Sequence, residues 1–198
     1  MRDLDAPEVR VTKFELPKEN FAPKNKPLPE GLTVSQAFPR EEQLIKIIKD
    51  IGRDFGWTRF PRFADRSYYK DIIEEPETRL YCFYKHGVEV GAAIIIGVEE
   101  QGSVEIEVMG LYEEFRNQGL GTAALECILA DLYKDYNNVE LLTCGFNPDA
   151  TYDFYEKNGF KGHDIEDENG NNPWKNFLIA EEPAFFRNDT KPPSPPTL

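Results

Sequence analysis

The sequence predicts an α/β fold in which helices flank a mixed, mostly antiparallel central sheet. Two segments, Leu44 to Phe55 and Leu125 to Tyr136, carry apolar residues at helical spacing and predict amphipathic helices. Strand-like segments on both sides of His86-Gly87 predict a hairpin with a tight turn. The apolar run Val139 to Phe146 has the length of a buried central strand. These patterns together predict one sheet covered by helices.

The length and the charge of the chain limit what it can be. Its 198 residues are enough for one domain with a sizeable core. The formal net charge of −13 makes the surface repel phosphates, which argues against nucleic acid and anionic membranes as partners. The same charge is compatible with a cationic partner and with simple solubility.

The cysteines and the apolar runs predict a cytoplasmic location. Cys82, Cys127 and Cys144 lack metal-ligand spacing and lie in apolar runs, so buried reduced thiols and no metal site are expected. The N-terminal segment MRDLDAPEVR lacks the apolar core of a signal peptide. The longest apolar run, Gly91 to Val98, is too short to cross a bilayer.

The remaining elements follow from local patterns on each side of the hairpin. Before it we expect, in order, a strand at Val9–Leu16, a proline-rich linker at Pro17–Gly31, a strand at Leu32–Phe38, the first helix, an aromatic loop at Gly56–Ser67 and a short helix at Ser67–Glu75. After it we expect a strand at Val104–Tyr112, the second helix, the buried strand, a helix capped by Asp149 and ended by Asn158-Gly159, a last strand at Asn176–Ala180 and a polyproline-like or disordered tail.

A glycine-rich loop, Glu113 to Glu126, precedes the second helix and fits three anion-binding patterns at first sight. A P-loop needs a lysine after its last glycine, and Thr122 follows Gly121 here. A dinucleotide fold needs the first glycine directly after its opening strand, whereas a polar stretch intervenes here. The third pattern, R-x-x-G-x-G, is complete from Arg116 to Gly121. It predicts backbone N–H groups that cradle a pyrophosphate at a helix start, unless the loop is merely a turn.

Two separated motifs resemble the GCN5-related N-acetyltransferase (GNAT) superfamily. They are VEIEVMGLYEEFRNQGLGTAALE, starting at Val104, and NPDATYDFYEKNGF, starting at Asn147. The resemblance covers about Leu32 to Ala180 and implies a sheet with a V-shaped splay. It also implies three regions: an N-terminal strand and linker (1–31), the acetyltransferase domain (32–182) and a proline-rich tail (183–198).

The resemblance implies acetyl-CoA as the acyl donor and a set of residues that bind it. The family pattern transfers to Met109, Gly110, Leu111, Arg116, Asn117, Gln118, Gly119, Leu120, Gly121, Thr122 and Asn147. Tyr155 lies eight residues after Asn147, where the family usually has seven, so the two motifs are not in perfect register.

The resemblance also implies two catalytic residues. Glu105 matches the strand glutamate that removes the proton of the amine, and Glu107 lies two residues on, on the same strand face. Tyr155 matches the tyrosine that protonates the leaving thiolate. Each residue also has a structural reading, as a solvent-facing strand position for Glu105 and as a core tyrosine for Tyr155.

The implied function is transfer of an acetyl group to a primary amine of a small molecule or a protein. The aromatic loop would line the acceptor side, where the amine could be enclosed by Trp57, Phe60, Phe63, Tyr68 and Tyr69. Arg59 and Arg62 could hold a carboxylate or phosphate of the acceptor, unless the loop is a hydrophobic plug with solvated arginines. The alternative is a non-catalytic acyl-CoA-binding sensor of the same fold. A homodimer is possible.

Overall fold

The computed structural model describes residues 11–24, 27–145, 147–165 and 182–187. The described strands are β1 (Val11–Pro17), β2 (Leu32–Ala37), β3 (Arg79–Lys85), β4 (Val88–Gly97), β5 (Ser103–Leu111), β6 (Asn138–Cys144) and β7 (Lys161–Asp164). The described helices are α1 (Glu41–Gly52), α2 (Pro61–Ala64), α3 (Arg66–Glu74), α4 (Leu120–Leu132), α5 (Asp149–Lys157) and α6 (Ala184–Arg187).

The described strands form one open sheet in the order β2-β3-β4-β5-β6-β1-β7. Neighbouring strands are antiparallel except β5 and β6, which are parallel. Helices cover both faces of the sheet. The fold class predicted from the sequence, a mixed and mostly antiparallel sheet flanked by helices, is confirmed.

The V-shaped splay lies between β5 and β6. Their parallel pairing covers Ser103–Glu105 and Asn138–Glu140 and then stops, although both strands continue. A bulge lies just beyond this point, because Ile94 pairs with Val108 and Ile95 with Ile106, which leaves Glu107 as the extra residue on β5. The bulge and the lost pairing open a gap in the middle of the sheet.

Each face of the sheet has its own core. One core gathers the apolar stripe of α4, including Leu125, Ile128 and Leu129, against the sheet. The other packs α1, α2, α3 and α6 on the opposite face. The bulge links the two, since Ile106 belongs to the first core and Val108 to the second, although two residues apart on a regular strand would share a face.

The predicted N-terminal strand is an interior member of this sheet. β1 pairs with β6 along its whole length and with β7 on its other edge. Phe14 on β1 is buried in the core with α4. The boundaries proposed after residues 31 and 182 remain predictions.

Several local expectations meet a definite outcome. Asp149 is the first residue of α5 and not its cap, since Pro148 occupies the cap position and no side chain caps this helix. Gly159 adopts a left-handed backbone after α5, as expected from Asn158-Gly159. In the segment expected to begin the tail, Phe186 in α6 is 0% exposed. The predicted strand Asn176–Ala180 lies outside the described residues.

The structure also shows the burial of the three cysteines and the character of the helices. Cys82 and Cys144 are buried and Cys127 is half-buried, and no disulfide joins any of these three described residues. Across the described ranges, none of the helices has the length and apolar character needed to span a membrane.

Candidate active site in the sheet splay

A cavity of about 520 Å³ lies between the diverging ends of β5 and β6. One wall is β5 from Ile106 to Leu111, and the other is the end of β6 with the start of α5. The glycine-rich loop closes one end, and residues after α1 close the other. Of the predicted donor-binding residues, the cavity wall includes Met109, Gly110, Leu111, Arg116, Asn117, Gly119, Gly121, Thr122 and Asn147.

The backbone of β5 supplies hydrogen-bond donors to this cavity. Tyr112 N–H donates to the Val90 carbonyl on β4 at 3.0 Å, and successive residues of a strand point to opposite edges. The N–H groups of Met109 and Leu111 therefore face away from β4, towards the gap. Gly110 has a different role, because a Cβ there would lie 2.3 Å from Ile51 Cγ2 and force α1 away.

The start of α4 has the backbone conformation that the glycine-rich pattern led us to expect. Asn117 and Gly119 both have left-handed backbones, and Gly119 is the residue that precedes the helix. No side chain caps α4, and its first turn has no acidic residue. Within the described part of the chain, no side chain at the cap position accepts from the first N–H groups of this helix, where Gly121 and Thr122 line the cavity. Together with the helix dipole, these groups favour an anion.

The two glycines of this loop are needed for different reasons. Gly119 has φ +74°, a conformation that L side chains rarely adopt. A Cβ on Gly121 would meet Phe154 at 3.6 Å, an ordinary contact distance, so packing within the protein does not require glycine there. The missing side chain at Gly121 instead leaves room in the cavity.

The side chains of three predicted loop residues, Arg116, Gln118 and Leu120, contact other parts of the protein. The Arg116 guanidinium stacks on Phe55 at 5.4 Å, and its Nε donates to the Leu111 carbonyl at 3.0 Å. Gln118 lies outside the cavity wall and donates to the Glu114 carbonyl at 3.1 Å. Leu120 is buried in the core and does not line the cavity.

Asn147 lies in the cavity wall with its side chain already engaged. It is 6% exposed, and its Nδ2 donates to Thr143 Oγ1 at 2.7 Å. Its Oδ1 accepts a hydrogen bond from Trp57 Nε1 at 3.0 Å. The sequence patterns did not indicate this link, because Trp57 and Asn147 are far apart along the chain.

Tyr155 is both a core residue and part of the cavity wall. It is 7% exposed, and the rings of Phe14, Phe154 and Phe160 surround it. Burial raises the pKa of its hydroxyl. An ordinary tyrosine, with a pKa of about 10, is already protonated near neutral pH, and burial makes this hydroxyl a weaker acid.

A second, smaller cavity of about 50 Å³ adjoins the first. It shares the wall residues Trp57, Glu107, Leu142, Thr143 and Asn147 with the larger cavity. Its other wall residues come from β1, α2 and the residues next to them, and from the end of β6: Val11, Phe60, Arg62, Phe63 and Cys144. The aromatic loop singled out in the sequence thus lines this end of the site.

Glu107, the bulged residue, is the carboxylate that reaches both cavities. Its side chain is 0% exposed, and Arg62 Nε lies 3.1 Å from its Oε1. The Tyr68 hydroxyl donates to the same oxygen. The other oxygen, Oε2, is buried and accepts no hydrogen bond from an N–H group among the described residues, and the Glu107 side chain shares a carboxyl–carboxyl hydrogen bond with Glu105. A carboxylate at a cavity wall can accept a hydrogen bond from a ligand.

Glu105 lies next to Glu107 but lines neither cavity. Burial and repulsion from Glu107 raise the pKa of Glu105 to about 8, against an opposing effect of Arg62. On β6, Glu140 is the register partner of Glu105. Glu105 and Glu107 therefore form one carboxyl pair at the apex of the splay.

The chain resembles known acetyltransferases in sequence. Residues 76–162 match the model of the family described as "Acetyltransferase (GNAT) domain". The Drosophila melanogaster protein "Probable N-acetyltransferase san" is 29% identical over 112 residues, which cover 55% of this chain and 60% of that relative. The chain therefore matches less than two thirds of the length of this relative.

Solved structures share the fold at lower identity. A GCN5-related N-acetyltransferase from Sphaerobacter thermophilus matches with a TM-score of 0.58 and 17% identity, over 79% of this chain and 49% of that one. A GCN5-related N-acetyltransferase from Kribbella flavida matches with a TM-score of 0.54 and 18% identity, over 78% of this chain and 55% of that one. Residues 76–162 thus match a GNAT acetyltransferase domain, and the chain shares its fold with these solved structures.

Proposed function

We propose that the protein is an acetyl-CoA-dependent N-acetyltransferase that acts on a primary amine. One observation carries this proposal: a single cavity has backbone N–H donors at one end and the Glu107 carboxylate at the other. The first end suits an anionic donor, and the second suits an amine. The gap between β5 and β6 connects them.

The donor would bind with its pyrophosphate at the start of α4. The N–H groups of Gly119, Gly121 and Thr122 would donate to the phosphate oxygens, and the helix dipole would add to their effect. The pantetheine arm would run along β5, where the N–H groups of Met109 and Leu111 face the gap. One of these donors, aimed at the thioester oxygen, would stabilise the negative charge that develops during attack.

The reaction would proceed by attack of the free amine on the thioester carbonyl carbon. The amine proton passes to the carboxyl pair of Glu105 and Glu107, of which Glu107 is the member at the cavity wall. The tetrahedral intermediate then collapses, the carbon–sulfur bond breaks, and the thiolate takes a proton from the Tyr155 hydroxyl. The products are an amide and free CoA.

The acceptor would enter beside the smaller cavity. Apolar and aromatic side chains, among them Phe60 and Phe63, line this cavity together with Glu107. A protonated amine that enters would lose its hydrating water and would bind the Glu107 carboxylate in its place. The Arg62 guanidinium is already paired with Glu107 and would orient that carboxylate. Both a small amine and an amino group of a protein remain within this proposal.

Release of free thiol from acetyl-CoA tests the proposal. The protein is mixed with acetyl-CoA and a panel of primary amines that includes small aliphatic and aromatic amines, and peptides with a free N-terminus or lysine. We expect thiol release that depends on one class of amine and falls strongly in the Glu107→Gln variant. Tight CoA binding without thiol release for any amine would instead support the non-catalytic sensor.

A further inference from the structure

The N-terminal strand β1 lies outside the residues that match the family, yet it brings a cation to the apex of the splay. Lys13 Nζ lies 2.8 Å from Glu140 Oε2 and 3.1 Å from Glu15 Oε1. Glu140 is 9% exposed and lies on β6. Lys13 and Glu140 line neither cavity, so the chemistry proposed above does not use them.

Glu140 stands directly beside the carboxyl pair. It is the register partner of Glu105 in the last pairing between β5 and β6 before the strands separate. Partners in directly opposed positions of a sheet place their side chains on the same face, roughly 5 Å apart. The Glu140 Oε2 atom is buried and has Lys13 Nζ as its neighbour. Glu105, in contrast, faces the charges of Glu107, Arg62 and Glu140.

We propose that Lys13 and Glu140 are positioning residues that set the protonation of the Glu105–Glu107 pair, and so the pH at which the proposed transferase can accept a proton. This inference rests on the proposed function for its catalytic part. Its electrostatic part stands on the geometry of three adjacent strands. Lys13 on β1 would thereby change the protonation of the carboxyl pair although Lys13 lines neither cavity.

The two residues must act with opposite sign. A negative Glu140 disfavours a second negative charge on Glu105, whereas the positive Lys13 offsets the charge of Glu140. At an effective dielectric constant of about 20, a unit charge at roughly 5–6 Å changes a protonation midpoint by about 2 pH units, and a more distant or more exposed charge changes it by less. The other groups that act on Glu105 or its partners are Glu107 on β5, Arg62 from α2, Tyr68 from α3 and Glu15 on β1.

Carboxyl titration of the protein alone tests the electrostatic part. Glutamate labelled with ¹³C at the side-chain carboxyl is followed by NMR from pH 5 to about 10, and the Glu105→Gln variant assigns the Glu105 signal. We expect Glu140→Gln to lower the midpoint of Glu105 and Lys13→Met to raise it, each by about one pH unit. Lys13→Arg keeps the charge and should leave the midpoint near that of the unaltered protein. Should Lys13→Met not fold, Lys13→Gln makes the same change of charge.

Two results would overturn the inference. One is a midpoint that stays fixed in both Glu140→Gln and the Lys13 variant, or moves in the same direction in both. The other is a titration that moves as expected while the acid limb of kcat/KM, measured with an accepted amine, does not follow it. A protein that releases no thiol with any amine would refute the proposed function instead, and the titration would still decide the electrostatic part.

Discussion

Trp57 donates its indole N–H to Asn147 Oδ1 at 3.0 Å, and this bond joins the residues after α1 to the end of β6. Asn147 Nδ2 in turn donates a hydrogen bond to Thr143 Oγ1 at 2.7 Å. Both Trp57 and Asn147 line the large and the small cavity. The two sides of the splay are thus held together at the junction between the proposed donor and acceptor sites.

The first prediction concerns this bond. Trp57→Phe keeps a ring but leaves the buried Asn147 oxygen without its donor, which should lower the free energy of unfolding by about 1–3 kcal/mol. Asn147→Ala should lower it by a similar amount. If the bond stabilises the fold, the loss of unfolding free energy in the double variant should be smaller than the sum of the two single losses, by at least about 0.5 kcal/mol. Urea unfolding measures all three, and strict additivity would show that the residues are not coupled.

The second prediction concerns donor binding and uses two glycines that match in conformation. Gly119 and Gly87 have φ of +74° and +79°, and neither would place a Cβ within 4 Å of another group. Leucine at either position should destabilise the protein by on the order of 1–2 kcal/mol. Only Gly119→Leu should also lose the stabilisation by CoA, about 2.7 kcal/mol at a hundredfold excess over Kd in the unaltered protein.

Thermal unfolding with and without CoA checks this prediction. The Gly87→Leu variant, altered in the β3–β4 turn, controls for the strained backbone. A CoA-dependent shift that survives in Gly119→Leu would remove the cradle at the start of α4 from the proposal.

The third prediction concerns the leaving group. Tyr155→Phe removes the hydroxyl and keeps the ring that packs on Phe14 and Phe160. If the hydroxyl protonates the thiolate, kcat should fall by roughly 10²–10⁴ while the affinity for acetyl-CoA changes little. Tyr152→Phe is the matched control, because Tyr152 lies on the same helix but outside the cavity wall. Equal kcat in the two variants would leave Tyr155 with a packing role.

The fourth prediction is the pH dependence of the reaction. Because the pKa of Glu105 is raised to about 8, the pair cannot take up an amine proton readily until Glu105 has lost its own. The rate constant kcat/KM should therefore rise with pH through about 8. This limb should vanish in Glu105→Gln and persist in Glu75→Gln, which alters an exposed carboxylate. An unchanged limb in Glu105→Gln would assign proton removal to another group.

The fifth prediction concerns stability and needs no substrate. Glu105 has an ordinary pKa of 4.5 that folding raises to about 8, so between these values the folded state binds more protons than the unfolded state. Its contribution to stability is fully present below about pH 4.5 and is lost as the pH rises through 8. Relative to Glu105→Gln, the native protein should lose up to about 1.4 kcal/mol per pH unit in this window. Parallel stability curves of the two proteins would contradict the raised pKa.

Local patterns in the sequence were sufficient for most of the elements. The helical stripe around Leu125 and the turn at His86-Gly87 depend on neighbouring residues, and both occur in the structure. The resemblance also located the glycine loop that lines the cavity. Such features could be read directly because periodicity and turn chemistry are short-range.

Other features depend on contacts that a linear pattern does not contain. Strand alternation puts Glu105 and Glu107 on one face, but the bulge turns Glu107 into the cavity wall and leaves Glu105 beside it. The ion pair of Glu107 with Arg62 joins a strand to a helix from an earlier segment. The burial of Phe186 likewise follows from packing against the core beneath α1 and α3, which composition near a proline-rich end does not reveal.

The placement of β1 also has a consequence for the order of folding. Among the described strands β1 is made before all others, whereas its partners β6 and β7 are the last two. Until those two strands exist, β1 has no strand to pair with. Pairings between such distant segments require closure of long loops and are therefore slow. We expect the half of the sheet that carries Glu140 to close last.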